Sequence, residues 1–260
     1  LDAVRKGVKD NTAILYTETV SNPLISVPNL KEIAEIAHSV NALLIVDNTF
    51  MTGALVRPLS LGADLVVNSL TKFANGHSDA LCGSVTGSKE LIDKIYHFQI
   101  LLGTEANVFD TWLTMRGIRT LELRIQKQSE NAAAVAAALE KNPYVKRVFH
   151  PSLESSPFHA VAAAETGGKY YGGMLTIELE DDLDKMNCFI RELKLVHYAM
   201  TLGGYRTTMS YPPFSSHDNL TREERYAIGI TDGMIRISVG IEDTADLVAD
   251  FEQALEKAYA

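Results

Sequence analysis

The sequence predicts an α/β fold, with a mainly parallel β-sheet sandwiched by helices, followed by a smaller C-terminal α+β domain. Short and continuously apolar runs of strand length recur through the first part of the chain, and a segment with helical periodicity follows the first of them. Such runs are typical of parallel strands that helices cover on both faces. The apolar runs of the second part have mixed or alternating character, which predicts the α+β domain.

Strands and helices alternate in the first part. A helix is predicted over residues 29–40, where apolar residues recur on one face and Asn29 and Glu32 have the spacing of a capping box. A long helix is predicted from about residue 109 to residue 141, and it stops before Pro143 because proline cannot continue a helix. The strands are predicted at residues 12–18 (TAILYTE), 43–47 (LLIVD), 64–68 (DLVVN) and about 80–86.

The second part contains five further predicted strands and at least two helices. The strands lie in VKRVFHP, GGMLTIELE, LKLVHYAMT, TTMSYP and GMIRISVG, and the helices in DDLDKMNCFIREL and the C-terminal DTADLVADFEQALEKAYA. No repeat of 20 to 50 residues occurs, which excludes solenoids and arrays. We therefore assign residues 1–124 to the larger domain and residues 125–260 to the small one.

The composition indicates a folded chain whose partners are small molecules. Of the 260 residues 46% are hydrophobic, and the net charge of -9 argues against a nucleic-acid surface, which needs clustered Lys and Arg. No apolar stretch reaches the length of a membrane span. Cys82 and Cys188 lie far apart and outside any zinc-binding spacing, so we expect a cytoplasmic protein without a structural metal. Because the chain begins at Leu1 inside a polar helical pattern, we expect a further N-terminal part.

Lys72 lies in the segment VVNSLTKFANGHSD, residues 66–79, between an apolar run and a loop of small residues. A single lysine is usually a solvated surface residue. Here the hydroxyls of Ser69 and Thr71 accompany it after a predicted buried strand, and ligands of open α/β sheets bind at the carboxyl ends of strands. Hydroxyls there suit a phosphate, and an amine in a partly desolvated site has a lowered pKa, which makes it a nucleophile toward a carbonyl.

Asp47 ends the predicted strand LLIVD of the same sheet. Taken alone, it is an ordinary turn residue or helix cap. Together with Lys72, Ser69 and Thr71 it completes the set that pyridoxal phosphate requires, which is a lysine for covalent attachment, an acid for the pyridinium nitrogen and donors for the phosphate. The chain has neither a correctly spaced P-loop nor a dinucleotide-binding glycine motif after a strand, so a nucleotide is not favoured.

The pattern D-x-x-x-N-S-x-T-K-F-x-x-G-H-S extends from Asp64 to Ser78. Five further segments carry motifs: SNP (21–23), VDNTF (46–50), RPLSLGAD (57–64), MRGIRTL (115–121) and ISVGIED (237–243). Together they closely resemble the Cys/Met-metabolism family of pyridoxal phosphate enzymes, which have fold type I. The resemblance extends over essentially the whole chain and is most specific at the lysine segment. The family includes cystathionine γ-synthases, cystathionine β- and γ-lyases, methionine γ-lyases and O-acylhomoserine sulfhydrylases.

The resemblance implies a role for five residues that would bind the cofactor. Lys72 would attach pyridoxal 5'-phosphate covalently and move protons between Cα of the substrate and the leaving group. Asp47 would hold the pyridinium nitrogen, and Ser69 and Thr71 would bind the phosphate. Asn22, otherwise a typical turn residue before a proline, would hydrogen-bond the phenolic oxygen of the cofactor.

Three residues of the small domain would contact the substrate. Arg236 lies between apolar neighbours in MIRISVG, and a cation in a mostly buried strand needs an anion, which the resemblance identifies as the substrate α-carboxylate. Thr201, in the TLGG turn, would help to orient the same carboxylate. Met200 stands where cystathionine γ-lyases and γ-synthases carry Glu. Tyr211 and His217 are expected to be structural.

The chain departs from the family pattern at its beginning. The chains of the family start well before this one, and residues 1–124 would form only the C-terminal part of the large cofactor-binding domain. The preceding part of the family's chains supplies a helix N-terminus for the phosphate, an aromatic residue against the cofactor ring and a Tyr/Arg pair that reaches the neighbouring subunit. The cofactor site would be incomplete without these groups.

Met200 favours an apolar thioether or a β-elimination substrate, since it cannot pair with the distal ammonium of cystathionine. The leading hypothesis is a C-S lyase that releases a thiol, ammonia and a 2-oxo acid from methionine, cystathionine or cysteine. One alternative is γ-replacement, as in cystathionine γ-synthase or O-acylhomoserine sulfhydrylase. Another is an inactive, truncated binding module. The resemblance further implies a homo-oligomer, a dimer of dimers that forms a tetramer.

Overall fold

The structure is a computed structural model that describes residues 1–260. The chain divides into two compact units. The first unit comprises Leu1–Val20 and Val27–Leu121, and the second comprises Ser21–Ser26 and Glu122–Ala260. The assignment of residues 1–124 and 125–260 to two functional domains stays a prediction.

The first unit holds a four-stranded sheet and five α-helices. Its elements are α1 (Asp2–Gly7), β1 (Ile14–Glu18), α2 (Leu30–Ser39), β2 (Leu43–Asp47), α3 (Thr52–Leu55), a 3-10 helix (Pro58–Leu61), β3 (Leu65–Ser69), β4 (Gly83–Gly87), α4 (Lys89–Leu102) and α5 (Val108–Ile118). The strand order is β1-β2-β3-β4, and the β1-β2 and β2-β3 pairs are parallel. The predicted α/β fold with a mainly parallel sheet is confirmed. The predicted cap of α2 is present, because the Asn29 side chain accepts from the N–H of Glu32.

The edges of this sheet differ from the prediction. Strand β4 runs antiparallel to β3, although its apolar run was interpreted as a parallel strand. An apolar run indicates burial but not strand direction, which depends on the connection between the strands. Strand β1 is not covered on both faces, since Ile14 is 53% and Tyr16 is 60% exposed.

The single long helix predicted over residues 109–141 is wrong, because the chain forms α5 and then α6 (Leu121–Leu139). At the break, the N–H groups of Arg119 and Thr120 donate to the carbonyls of Arg116 and Gly117. The Thr120 hydroxyl also donates to the Gly117 carbonyl at 3.2 Å. These short-range bonds tighten the last turn, so the regular α-helix ends before Thr120.

The second unit holds a five-stranded sheet. After α6, its elements are β5 (Arg147–Phe149), α7 (His159–Thr166), β6 (Met174–Glu178), α8 (Leu183–Glu192), β7 (His197–Tyr198), β8 (Thr208–Ser210), a 3-10 helix (Pro212–Phe214), α9 (Arg222–Ala227), β9 (Met234–Ser238) and α10 (Thr244–Tyr259). The strand order is β5-β6-β9-β8-β7, and every pair except β7-β8 is antiparallel. The predicted smaller α+β part is therefore confirmed as a fold.

One face of this sheet packs against three helices. Fully buried side chains of α6, α8, α10 and the strands form the core, among them Leu139, Phe189 and Phe251. The rings of Phe189 and Phe251 stack with their centroids 6.5 Å apart. Each such side chain contributes roughly 1.5 to 3 kcal/mol to folding, so this face is the main source of stability in the second unit.

None of the ten α-helices has both the length and the apolar character that crossing a bilayer requires. The structure also gathers no group of three or more His, Cys, Asp or Glu side chains that would bind a metal ion.

Candidate active site

Asp47, at the end of β2, is held by two hydrogen bonds. The N–H of Thr49 donates to Oδ1 at 2.9 Å, and the hydroxyl of Tyr16 donates to Oδ2 at 3.1 Å. Tyr16 lies opposite Ile45 in the parallel β1-β2 pair, so it shares a sheet face with Asp47 two residues further on. Partial desolvation, the negative charge of Asp47 and the hydrogen bond to it raise the pKa of Tyr16 to about 12, although the residue is largely exposed. The phenol therefore stays protonated and serves as a hydrogen-bond donor to the carboxylate.

Ser69 ends the neighbouring strand β3 and lies near Asp47. Its N–H donates to the hydroxyl oxygen of Thr49 at 2.8 Å, so Thr49 bridges the ends of the two strands. Asp47 and Ser69 both line a cavity of about 1030 Å³ in the first unit. The structure thus brings together two of the predicted cofactor residues, and it adds Thr49, which was not predicted as a site residue.

Lys72 is half-buried in the loop after β3, outside the lining of that cavity. The loop is folded by short-range bonds, in which the N–H of Lys72 donates to the Ser69 carbonyl at 3.1 Å and the N–H of Gly76 donates to the Lys72 carbonyl at 2.7 Å. The Thr71 hydroxyl accepts from the N–H of Cys82 at 3.0 Å and donates to the Cys82 carbonyl at 3.3 Å. Thr71 therefore anchors the lysine loop, a role that the sequence did not suggest.

Gly117 of α5 packs against the same loop. A Cβ atom at this position would overlap the backbone oxygen and the side-chain oxygen of Asn75. Only glycine therefore lets α5 approach the loop this closely. Asn75 is itself fixed, since its N–H donates to the Leu70 carbonyl at 2.8 Å and Nδ2 donates to Asp79 at 2.7 Å. The motif MRGIRTL contributed to the family resemblance, but nothing in it indicated that its glycine contacts the lysine loop.

In the second unit, Arg236 of β9 is a buried cation with 4% exposure. Nη1 donates to Oδ1 of Asn22 at 3.4 Å and Nη2 donates to the backbone oxygen of Met200 at 3.3 Å, while Nε is buried without a hydrogen-bond partner. Burial lowers the pKa of Arg236 to about 10, so the side chain remains charged at neutral pH. A buried guanidinium with neutral partners and an unused N–H is suited to bind an anion.

The TLGG turn (residues 201–204) begins at Thr201, and Met200 directly precedes it beside Arg236. The backbone oxygen of Met200 accepts from Arg236, and Met200 is 63% exposed. Thr201 is half-buried. The N–H of Gly203 donates to the hydroxyl of Ser238 at 2.8 Å, which fixes the turn to β9. The structure thus brings Asn22, Met200 and Arg236 together, with Thr201 following directly in the chain.

Tyr211 and His217, which were expected to be structural, have different surroundings. The Tyr211 hydroxyl donates to the backbone oxygen of Asp232 at 2.9 Å, and burial raises the pKa of Tyr211 to about 12. This is a structural contact. Burial and the positive charges of Arg225 and Arg236 lower the pKa of His217, so its ring is neutral at neutral pH.

A family model described as "Cys/Met metabolism PLP-dependent enzyme" matches residues 1–256. The chain belongs to this family. The match confirms the predicted family, and the family's dependence on pyridoxal phosphate (PLP) confirms the predicted cofactor. The roles assigned to individual residues stay predictions.

Named relatives agree with membership of the Cys/Met metabolism family. The chain is 40% identical over 260 residues to an L-methionine gamma-lyase of Fusobacterium nucleatum subsp. polymorphum, covering 99% of this chain and 65% of that protein. It is 42% identical over 256 residues to a cystathionine gamma-lyase of Bacillus subtilis (strain 168), covering 98% of this chain and 67% of that protein. The chain therefore spans about two thirds of the length of these relatives.

A solved structure supports the fold of this family member. Cystathionine gamma synthase from Xanthomonas oryzae pv. oryzae, in complex with cystathionine, superposes with a TM-score of 0.91 at 39% sequence identity. The match covers 94% of this chain and 63% of that chain.

Proposed function

We propose that the protein is a pyridoxal phosphate-dependent C-S lyase that acts on methionine, cystathionine or cysteine. β- or γ-Elimination would release a thiol, ammonia and a 2-oxo acid. The observation that carries the proposal is Arg236, a buried guanidinium with neutral hydrogen-bond partners and an unused Nε–H, which suits the α-carboxylate of an amino acid. The lyase names of relatives at about 40% identity support the reaction class.

The residues of the first unit fit pyridoxal phosphate by their chemistry. Asp47 offers a carboxylate and Ser69 a hydroxyl in the lining of one cavity. Asp47 would hold the proton of the pyridinium nitrogen, and Ser69 and Thr71 would donate to the phosphate. The Thr71 hydroxyl, which donates to the Cys82 carbonyl at 3.3 Å, would then donate to a phosphate oxygen instead. When bound, the cofactor supplies an electron sink for the negative charge that develops at Cα of the substrate.

Lys72 would be the catalytic residue of this lyase. Its Nζ would attach the cofactor, take the proton from Cα of the substrate and return a proton to the leaving group. Its loop is held in place by Thr71 and by the packing of Gly117 against Asn75. Proton transfer requires a fixed donor and acceptor geometry, so these contacts would serve the reaction by orienting the lysine.

Arg236 and its neighbours would orient the substrate. The guanidinium would hold the α-carboxylate, and Thr201 would donate a hydrogen bond to the same group. Asn22 accepts from Arg236 through Oδ1, and its Nδ2 would donate to the phenolic oxygen of the cofactor. Met200 presents an exposed thioether side chain, which favours an apolar substrate end over a distal ammonium.

The lyase proposal is tested by assaying the protein for 2-oxobutyrate from methionine and for pyruvate from cystathionine or cysteine. We expect Arg236→Gln to raise KM by about tenfold or more, because a charge-assisted bidentate contact is lost. Arg191→Gln, an exposed arginine of α8, is the matched control and should leave KM unchanged. Failure to form an oxo acid from any of these substrates would contradict the lyase reaction.

γ-Replacement is a second candidate reaction on the same site. It is favoured by the likeness to a cystathionine gamma synthase over 94% of this chain. Mixing O-acetylhomoserine and sulfide with the protein and analysing the products distinguishes the two reactions. A new thiol amino acid, formed with release of acetate, indicates replacement, whereas a 2-oxo acid with ammonia indicates elimination.

An inactive binding module is the remaining candidate. It is favoured by the position of Lys72, which lies outside the lining of the cavity that Asp47 and Ser69 line. The protein incubated with pyridoxal phosphate and then dialysed should retain a cofactor absorption band that Lys72→Ala abolishes. A colourless preparation would instead support the inactive module.

We further propose a cytoplasmic homo-oligomer, a dimer of dimers. Two consecutive helices, α4 and α5, expose many large apolar side chains, which is unusual for the free surface of a monomer: Tyr96, Phe98, Ile100, Leu101, Leu102, Val108, Phe109, Trp112, Met115 and Ile118. A second copy of this chain is the occupant that best suits such a surface in a homo-oligomer. The unpaired Cys82 and Cys188 suit a reducing compartment. Cell fractionation tests the location, and recovery in a secreted fraction would contradict it.

A further inference from the structure

A second cavity lies within the second unit, and none of the predicted site residues lines it. Its volume is about 450 Å³, which is within the range of small-molecule sites. Three stretches of chain form its walls, namely residues 24–26, residues 145–150 around β5 and residues 155–158. We call it the β5 cavity. Arg236 and Met200, which mark the proposed substrate site, are not part of its lining.

Two side chains that line the β5 cavity, Arg147 and Phe149, lie on the sheet face that is turned away from the hydrophobic core. Val148, in the middle of β5, packs against the core, so Arg147 and Phe149 project from the opposite face. Phe149 lies opposite Thr176 of β6, and the Thr176 hydroxyl donates to the backbone oxygen of Pro23 at 2.6 Å. This bond fixes residues 24–26 as a wall beside Arg147 and Phe149.

The charged groups around the β5 cavity favour an anion. Lys146 and Arg147 both line it, and neither forms an ion pair with a carboxylate. The guanidinium of Arg147 lies 4.4 Å from the centre of the Phe149 ring. Glu140 is the one acidic residue of the lining, and it accepts a hydrogen bond from Ser155. Within the lining, two cations therefore accompany one carboxylate, and Glu178, opposite Arg147 in the β5-β6 pair, accepts a hydrogen bond from the Thr231 hydroxyl.

His150 contributes no charge to the β5 cavity at neutral pH. The residue is 1% exposed. Nδ1 forms a hydrogen bond with the Ser152 hydroxyl at 2.7 Å, and Nε2 forms one with the Gly172 carbonyl at 3.4 Å. Burial lowers the pKa of His150 to about 4. The excess positive charge of the cavity therefore comes from Lys146 and Arg147 alone.

The β5 cavity also has apolar side chains and a firmly held loop in its walls. Leu24, Ile25, Phe149 and Phe158 supply aliphatic and aromatic surface. The wall at residues 24–26 belongs to a closed loop, because the N–H of Ser21 donates to the Ser26 carbonyl and the N–H of Ile25 donates to the Ser21 carbonyl, each at 3.0 Å. A preformed wall lowers the entropy cost of binding, since little chain has to be ordered by the ligand.

We propose that the β5 cavity is a binding site for a small carboxylate with an aromatic or branched apolar body. The carboxylate pairs with Arg147, whose guanidinium already lies over Phe149. The apolar body packs against Phe149, Phe158 and Leu24. A neutral ligand of the same shape gains only the apolar contact, and a short carboxylate gains only the ionic one.

The proposal is tested with 3-phenylpropanoate as the probe, using calorimetry and ligand-observed NMR on the full chain. We expect saturable binding in the millimolar range or tighter. 3-Phenylpropanamide, which lacks the charge, and propanoate, which lacks the ring, should each bind about tenfold more weakly. Equal binding of the amide and the acid would overturn the proposal, and so would the absence of saturable binding.

Three variants locate the probe. Arg147→Gln should weaken binding of 3-phenylpropanoate about tenfold, and Ser155→Trp should abolish it by filling the cavity. Arg191→Gln, an exposed arginine outside the lining, should leave binding unchanged. Arg236→Gln should also leave it unchanged, which separates this site from the proposed substrate site whether or not the lyase reaction is found. Weaker binding to Arg236→Gln with no effect of Arg147→Gln would overturn the assignment to the β5 cavity.

Discussion

His150 and Arg236 are both buried, but burial leaves His150 neutral and Arg236 charged. Desolvation disfavours a charge, so His150 releases its proton and both ring nitrogens find neutral partners. Arg236 cannot release its proton near neutral pH and remains a cation beside Asn22 and Met200. Such a charge is stable in the fold only if an anion or several dipoles offset the desolvation. At the scale of single residues, this difference separates a structural histidine from a candidate ligand-binding arginine.

The low pKa of His150, about 4, predicts a loss of stability in acid. The unfolded chain takes up the proton near the ordinary pKa of about 6.5, whereas the folded chain resists until about pH 4. The neutral His150 therefore lowers the free energy of unfolding by nothing above about pH 7. As the pH drops, proton uptake by the unfolded chain lowers the free energy of unfolding, by about 2 kcal/mol at pH 5. Urea unfolding of the protein and of His150→Gln at both pH values measures it. If the free energy of unfolding depended equally on pH in both proteins, His150 would not be the cause of the loss in acid.

Asp47→Asn tests the acid at the end of β2. The amide keeps the size of the side chain, but its single oxygen can take the place of only one of the two carboxylate oxygens that accept from Tyr16 and Thr49. It also cannot hold a positive charge on the pyridine nitrogen. We expect turnover to fall by at least about a hundredfold, while the protein remains folded. Turnover with methionine and the circular dichroism melting curve are the measurements. Activity within a few-fold of the unchanged protein would exclude the proposed role of Asp47.

The sequence was informative where a residue type was unexpected in its local setting. Lys72 beside a buried strand, Asp47 at a strand end and Arg236 between apolar residues could each be noticed from the letters alone. Tyr16 and Gly117 could not, because their importance depends on strand register and on the distance between a helix and a loop. Contacts set by packing leave no local pattern in a single sequence.

At the scale of elements, strand β2 was predicted with its observed bounds, Leu43–Asp47. A short buried strand has few alternative registers, because its apolar run ends at a charged residue. The break between α5 and α6 was missed, since apolar periodicity continues through it. The break depends on Thr120, whose hydroxyl competes for the Gly117 carbonyl. Strand direction, as in β4, depends on the connection and is not encoded in the strand itself.

Gly117→Ala tests the contact between α5 and the lysine loop. The new methyl group would overlap Asn75, so α5 or the loop must shift, at a cost of roughly 1 to 3 kcal/mol. Gly53→Ala in α3 is the matched control, because a Cβ there meets no atom within 4 Å, and it should be neutral or slightly stabilising. Urea unfolding measures both changes. Similar stability of the two variants would show that the close approach carries no cost.

Asp250 of α10 joins its helix to the segment before β7. Its buried carboxylate accepts from the N–H groups of Lys194, Leu195 and Val196 at 2.8 to 3.2 Å. Asp250→Asn replaces an acceptor oxygen by a donor, so we expect a loss of roughly 1 to 3 kcal/mol. Glu252→Gln, at an exposed position of the same helix, should change stability by less than about 0.5 kcal/mol. Comparable effects in thermal melts would rule out this anchoring role.

At the scale of the whole molecule, the two units bury their apolar residues to different extents. The second unit has a large continuous core, whereas α4 of the first unit has no buried residue at all. An exposed apolar helix face costs solubility unless another surface covers it. In a homo-oligomer with two-fold symmetry the same patch occurs on both copies, so one apolar face can cover the other.

The exposed face of α4 and α5 therefore predicts the effect of a charge on assembly. Trp112, which is 52% exposed and stacks on Phe109 at 6.0 Å, would lie in the interface between copies. Trp112→Glu places an unpaired charge there, so we expect the molar mass from light scattering to fall to that of a smaller assembly or the monomer. Leu183→Glu in α8 has a similar exposure of 50% and should leave the molar mass unchanged. An assembly that is insensitive to Trp112→Glu, or a protein that is monomeric from the start, would contradict the homo-oligomer.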